Sequence, residues 1–165
     1  MANTSLQKPL LFVDVDGVIS LFGFVPRYDS MPGPLHWIDG IQHCIPPVMG
    51  SRLERLAEAY DLVWATGWEE KANEYLPHIL ELPFRDLPTL TFGTAAVFGT
   101  AHWKLAAITE HAGDRRAAWI DDSLDEECFG WARSRSAPTL LIQTEPATGL
   151  GEEHVEELLA WASTD

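Results

Sequence analysis

The 165-residue sequence is poor in cysteine, in basic side chains and in long apolar runs. Its two cysteines, Cys44 and Cys128, are too few for a disulfide framework and fall in no metal-ligand spacing, so both read as reduced thiols. Eleven Lys and Arg stand against 25 Asp and Glu, for a formal net charge of −14. A surface of that sign repels nucleic acid and anionic membranes unless a local basic patch reverses it. No stretch approaches the ~20 apolar residues of a membrane span. The first apolar run, Leu10 to Val13, is stopped by Asp14, and no basic segment leads into it. These absences point to a soluble, cytoplasmic protein with no membrane partner. None of the six histidines has HxxxH or His/Cys spacing, which removes the usual zinc sites. What remains is globular in composition, 46% hydrophobic and 22% charged, with a length that suits one domain spanning residues 1–165.

Short, mostly apolar runs predict buried strands at Leu10–Val15, Leu62–Ala65, Ala117–Ile120 and Thr139–Ile142, with a further candidate at Thr89–Phe92. Helical spacing of apolar residues predicts helices from Ser51, over Glu70–Leu80, Trp103–His111, Asp125–Arg133 and Glu152–Ala162. Ser51 and Glu54 fit a capping box. Glu152, Glu153, Glu156 and Glu157 form a solvated acidic face on the last helix. Five prolines between Ser20 and Pro47 make residues 18–48 a long loop or small hairpin, of the kind that often serves as a flap. Strands alternating with helices predict an α/β fold, a parallel sheet covered on both faces.

Three predicted strands end in polar groups: Asp14 and Asp16, then Thr66, then Asp121 and Asp122. A parallel sheet brings such ends to one edge, where α/β folds place ligands. Converging carboxylates repel unless a cation lies among them, and an all-oxygen donor set suits Mg²⁺ better than zinc or copper. Lys104 supplies a positive charge for an anionic substrate. Together these groups describe a place for a divalent cation and a phosphate.

In this order the residues resemble the haloacid dehalogenase (HAD) superfamily over nearly the whole chain. Leu11 to Val18, LFVDVDGV, is similar to its first motif, a strand ending in DxDG; Thr66 resembles the second, Lys104 the third and Asp121-Asp122 the fourth. The resemblance implies a three-layer α/β/α sandwich, a Rossmannoid fold with a central parallel sheet and an extended flap. It implies Asp14 as nucleophile, forming an aspartyl-phosphate, and Asp16 as general acid and then base. Thr66 and Gly67 would hold the phosphoryl oxygens, and Lys104 would offset charge on nucleophile and phosphate. Mg²⁺ would be held by Asp14, Asp121 and the carbonyl of Asp16, with Asp122 in or next to that set. Trp68 enters the substrate-binding set as an aromatic face beside the phosphate; for it, as for Trp37 and Trp103, packing is the plainer reading. Dehalogenating members do not need an acid two residues after the nucleophile, so Asp16 favours phosphoryl transfer.

Forty-nine residues separate Asp16 from Thr66 and 37 separate Thr66 from Lys104, most of them needed by core elements. Neither interval holds a full cap domain, so the chain resembles the capless type, closed by its flap or by a partner chain in an oligomer. The expected activity is a Mg²⁺-dependent phosphatase acting on a small phosphorylated metabolite or nucleotide. The alternatives are a polynucleotide end phosphatase of RNA-repair type and a regulatory protein that binds phosphate without turnover. Arg27, Arg52, Arg133 and Arg135 are the cations that would have to converge for the nucleic-acid reading. Asp125 is placed either beside the metal or at a helix N-terminus.

Overall fold

The computed structural model describes residues 7–26, 30–93 and 100–164. Its core follows from alternation along the strands. In β1 (Leu10–Val13), Leu11 and Val13 face one apolar cluster while Leu10 and Phe12 face a second. Side chains in β4 (Asp61–Trp64) and β5 (Ala117–Asp121) divide in the same way, so the sheet is buried on both faces. All pairings are parallel and the strand order is β4-β1-β5-β6, with β6 spanning Thr139–Gln143.

One face is covered by α1 (Val48–Ala59), α2 (Lys71–Ile79) and α5 (Glu152–Ala162), through Leu53, Leu56, Leu76, Val155 and Leu158. The other is covered by α3 (Leu105–Ala112) and α4 (Glu126–Ser134), through Ile108, Ala112 and Cys128. The three layers expected of the fold are present. Each inward leucine or isoleucine contributes about 1.5–3 kcal/mol of burial. Among the described residues, no helix is long and apolar enough to cross a membrane.

The flap carries a hairpin, β2 (Leu35–Ile38) and β3 (Ile41–Cys44), turned at Asp39-Gly40. Both turn residues have positive φ, 50° and 80°, which a two-residue turn between twisted strands requires and Asp-Gly supplies. The tip is tied to α2, where Asp39 pairs with Lys71 and accepts from the Tyr75 hydroxyl at 3.2 Å.

Three expectations are corrected. Ser51 does not cap a helix: α1 already begins at Val48, behind Pro46-Pro47, and the Ser51 hydroxyl donates back to the Val48 carbonyl at 3.0 Å. Proline's fixed φ suits the first helical turn, where its missing N–H costs nothing, so the pair starts the helix ahead of the serine. Thr89–Phe92 is no strand; it makes one bridge, Thr89 to Trp64, beside the outer edge of β4. Pro88 has no N–H with which to extend that ladder. The helix expected from Trp103 opens as a 3-10 turn, Ala101–Lys104, before α3.

Candidate active site

Register assembles the site. Val13 pairs with Trp64 on one side and Ile120 on the other, so the residue after β1 lies between Ala65, next to Thr66, and Asp121. Asp14 is that residue and is nearly buried. Past it the chain turns sharply: the amides of Val18, Ile19 and Ser20 all donate to the Val15 carbonyl. Gly17 makes this turn with φ 78°, and a Cβ there would overlap the Asp122 carboxylate.

Lys104 reaches Asp14 from the 3-10 turn, which is anchored to the loop after β5 by Ala101 N–H donating to the Ser123 carbonyl at 2.8 Å. Lys104 is 4% exposed, and its ammonium lies 3.0 Å from Asp14 Oδ1 and 2.6 Å from Asp121 Oδ2. The second Asp121 oxygen accepts from Ser123 N–H at 3.0 Å. Burial raises the Asp14 carboxyl above its ordinary value, with Lys104 opposing the rise and Asp121 adding to it. Burial disfavours charge on Lys104, but Asp14 and Asp121 outweigh it and hold the amine above its ordinary value. Burial, and then the charge of Asp121, also raise Asp122.

One oxygen each of Asp14, Asp121 and Asp122 can be chosen so that all lie within 4.8 Å of one another. Among the described residues this is the one such cluster, and its donors are all hard oxygens. The carboxylate of Asp16 is not in it, so the place of Asp16 in a metal set depends on its backbone carbonyl. Asp14, Asp16, Gly67, Lys104, Asp121 and Asp122 line a cavity of about 390 Å³ with Phe22, Ala101, Trp103 and Ser123. Thr66 is fully buried beneath it, and its hydroxyl accepts from Trp68 N–H at 3.2 Å. The Gly67 amide has no hydrogen-bond acceptor among the described residues, which leaves a donor at the cavity for an anion.

Trp68 lines a second, smaller hollow of about 230 Å³ on the hairpin side, with Ile38, Ile41, His43, Lys71 and Asp16. Trp103 packs edge-on against Phe92, its ring 5.4 Å from the Lys104 ammonium. Trp37 does not pack into the core: it is 69% exposed, pairs in register with Gln42 and lines neither hollow.

Asp125 is a helix cap. Its Oδ1 accepts from Cys128 N–H at 3.1 Å at the start of α4, and its Oδ2 lies 2.7 Å from His102 Nδ1. Thr100 hydrogen bonding, then His102 and the Cys128 amide, hold the Asp125 carboxyl far below its ordinary value, while Asp125 raises His102. Both thiols are free and buried, and burial pushes Cys128 up to about 12. Sequence reasoning missed Phe22, Ala101 and Ser123 as lining residues and the contacts of His43; Ser123, next to the acidic pair, was the one with a positional signal.

The three candidate arginines among the described residues do not converge on the cavity. Arg52 donates to the Leu150 carbonyl and pairs with Glu152; Arg133 pairs with Glu126; Arg135 binds the carbonyls of Gly113 and Arg115 near the start of β5. Arg27 lies outside the described residues.

No curated protein matches the chain. The model of one family, described as the HAD domain in Swiss Army Knife RNA repair proteins, matches residues 10–155, an interval that begins with β1 and contains all four strand ends and Lys104. On that match and on the carboxylate-and-lysine edge of its parallel sheet, the chain belongs to this family of the HAD superfamily.

Proposed function

We propose that the protein is a Mg²⁺-dependent phosphatase that hydrolyses a phosphoric monoester through an aspartyl-phosphate on Asp14. The observation that carries this reading is the buried Lys104 between Asp14 and Asp121, which keeps a carboxylate desolvated yet charge-compensated at the mouth of a cavity. An Asp14 oxygen attacks phosphorus as the bond to the ester oxygen breaks, and Asp16 gives its proton to the departing oxygen. Asp16, now a carboxylate, takes a proton from water as the water oxygen attacks phosphorus, releasing phosphate and restoring both side chains. Lys104 and the free Gly67 amide stabilise the negative charge on the phosphoryl oxygens, and Thr66 fixes the turn that presents that amide.

The donor set fits Mg²⁺: three clustered carboxylates share one compensating ammonium, so a further cation relieves their repulsion. Asp14, Asp121 and the Asp16 carbonyl would hold it, with Asp122 beside them. Bound there, it would neutralise phosphoryl charge and orient the group for in-line attack. The substrate class is a small phosphorylated metabolite or nucleotide. A phosphate on an RNA or DNA end is the second reading, favoured by the RNA-repair description of the family and opposed by the dispersal of Arg52, Arg133 and Arg135.

Asp14→Asn is expected to abolish hydrolysis of an aryl phosphate, and EDTA to do so reversibly on readdition of Mg²⁺. Turnover retained by the variant refutes the covalent route. Comparison of mononucleotides with 5′- and 3′-phosphorylated oligonucleotides decides between the substrate readings. Tight phosphate binding without hydrolysis of any ester would instead establish the regulatory alternative.

A further inference from the structure

The indole of Trp68 stands beside the site with its polar edge already engaged. Its Nε1–H donates to Asp16 Oδ2 at 3.0 Å. Asp16 Oδ1 makes no hydrogen bond among the described residues and lies 3.8 Å from His43 Nδ1. The imidazole meets the indole edge-on, with ring centroids 4.7 Å apart and planes at 67°. Ser20 Oγ holds that imidazole in turn, 2.9 Å from His43 Nδ1.

The chain of contacts links three separate segments. Ser20 closes the turn after Asp16, His43 belongs to β3 of the flap, and Trp68 follows β4. Their meeting has a use, because the Asp16 side chain is 52% exposed and follows no regular element. A half-exposed aspartate exchanges freely among staggered rotamers, and a proton donor must be in place when the ester bond breaks.

We propose that Trp68 is a positioning residue for the acid–base group Asp16. The indole N–H occupies Oδ2, so Oδ1 is the oxygen presented to the leaving group and afterwards to water. His43, steadied by Ser20, braces the indole from the flap. Trp68 touches the reacting atoms only through Asp16, and its task differs from stacking on the substrate. The proposal rests on the aspartyl-phosphate reading above.

A positioning role has a kinetic signature that a packing role lacks. An ester with a poor alkoxide leaving group needs the Asp16 proton; an ester with a stabilised phenolate needs it much less. The experiment therefore compares kcat/KM of the full chain and of Trp68→Phe on an alkyl monophosphate and on 4-nitrophenyl phosphate, both with Mg²⁺. The ratio of alkyl to aryl turnover is expected to fall about tenfold in the variant, a part of the ~10²–10⁴ that a positioned acid supplies. An unchanged ratio overturns the proposal, since a merely structural loss depresses both esters together. If Trp68→Phe fails to fold, His43→Ala is read the same way, with a smaller fall in the ratio expected and an unchanged ratio overturning it.

A second measurement does not depend on turnover. The Trp68 indole ¹H–¹⁵N resonance, identified by its loss in Trp68→Phe, is expected to shift in Asp16→Ala, and an unmoved resonance overturns the contact. Failure of the underlying reading looks different: Asp14→Asn then keeps its turnover while the ester ratio still judges Asp16. If the unmodified protein hydrolyses neither ester, the reading and the proposal fall together.

Discussion

Replacing Lys104 by methionine keeps much of its volume and removes its charge from between two buried carboxylates. The ammonium lies 3.0 Å from Asp14 and 2.6 Å from Asp121. At an effective dielectric of about 20, each contact is an attraction of roughly 5–6 kcal/mol before desolvation. Most of that gross energy is cancelled by taking the ions out of water, and removing one partner of such a buried group typically costs about 3–5 kcal/mol. A domain of this size has about 5–15 kcal/mol of stability, so Lys104→Met is expected to fold but to sit near its limit. In urea at pH 7, with a slope of about 2 kcal/mol per molar, the unfolding midpoint should drop by roughly 2 M. Mg²⁺ should recover more stability in the variant than in the unmodified protein, because a bound cation replaces the lost countercharge. A loss below about 1 kcal/mol would refute the reasoning, since it would mean that the two aspartates do not depend on Lys104 for their compensation.

Two other perturbations follow from the geometry. His102 is raised by its bond to Asp125, so its contribution to stability is complete below its ordinary pKa of 6.5 and is lost as pH rises through the raised value. The melting temperature of His102→Gln should therefore lie furthest below that of the unmodified protein near pH 6, and the gap should close toward pH 9; a gap that widens with pH would contradict this. Gly17→Ala forces a side chain into φ 78° and against the Asp122 carboxylate, at a cost of about 1–2 kcal/mol. It should also weaken Mg²⁺ binding by displacing Asp122, and calorimetric affinity equal to that of the unmodified protein would exclude that coupling.

The β-sheet was legible because its strands are short, continuous apolar runs ending in polar groups, and parallel pairing then left few ways to arrange Asp14, Thr66, Lys104 and Asp121. The Ser51 capping box misled because a local motif competed with an adjacent diproline that starts the helix earlier. At Thr89–Phe92 the strand composition was right, but Pro88 and an edge position allowed a single bridge. The contact between Trp68 and Asp16 joins residues 52 apart, through a flap whose prolines hide its hairpin, and no spacing in the chain encodes it. His43 was equally opaque, a lone histidine that gains meaning only from Ser20 and Trp68.

Several of the few basic side chains are spent as fasteners far from the cavity. Lys8 donates to the Ala57 carbonyl, Arg115 to Lys8 and Asp61, Arg116 to Trp161 and Thr164, and Arg135 to Gly113 and Arg115, most of them clustered where the strands begin. Lys104 is the one cation among the described residues that lines the 390 Å³ cavity, and it is already shared by two aspartates. On the proposed function, an incoming phosphate ester would diffuse up an unfavourable potential set by a net charge of −14. The kinetic consequence is an encounter rate that climbs with ionic strength, because added salt shields substrate from enzyme; enzymes that attract their substrates electrostatically show the reverse dependence.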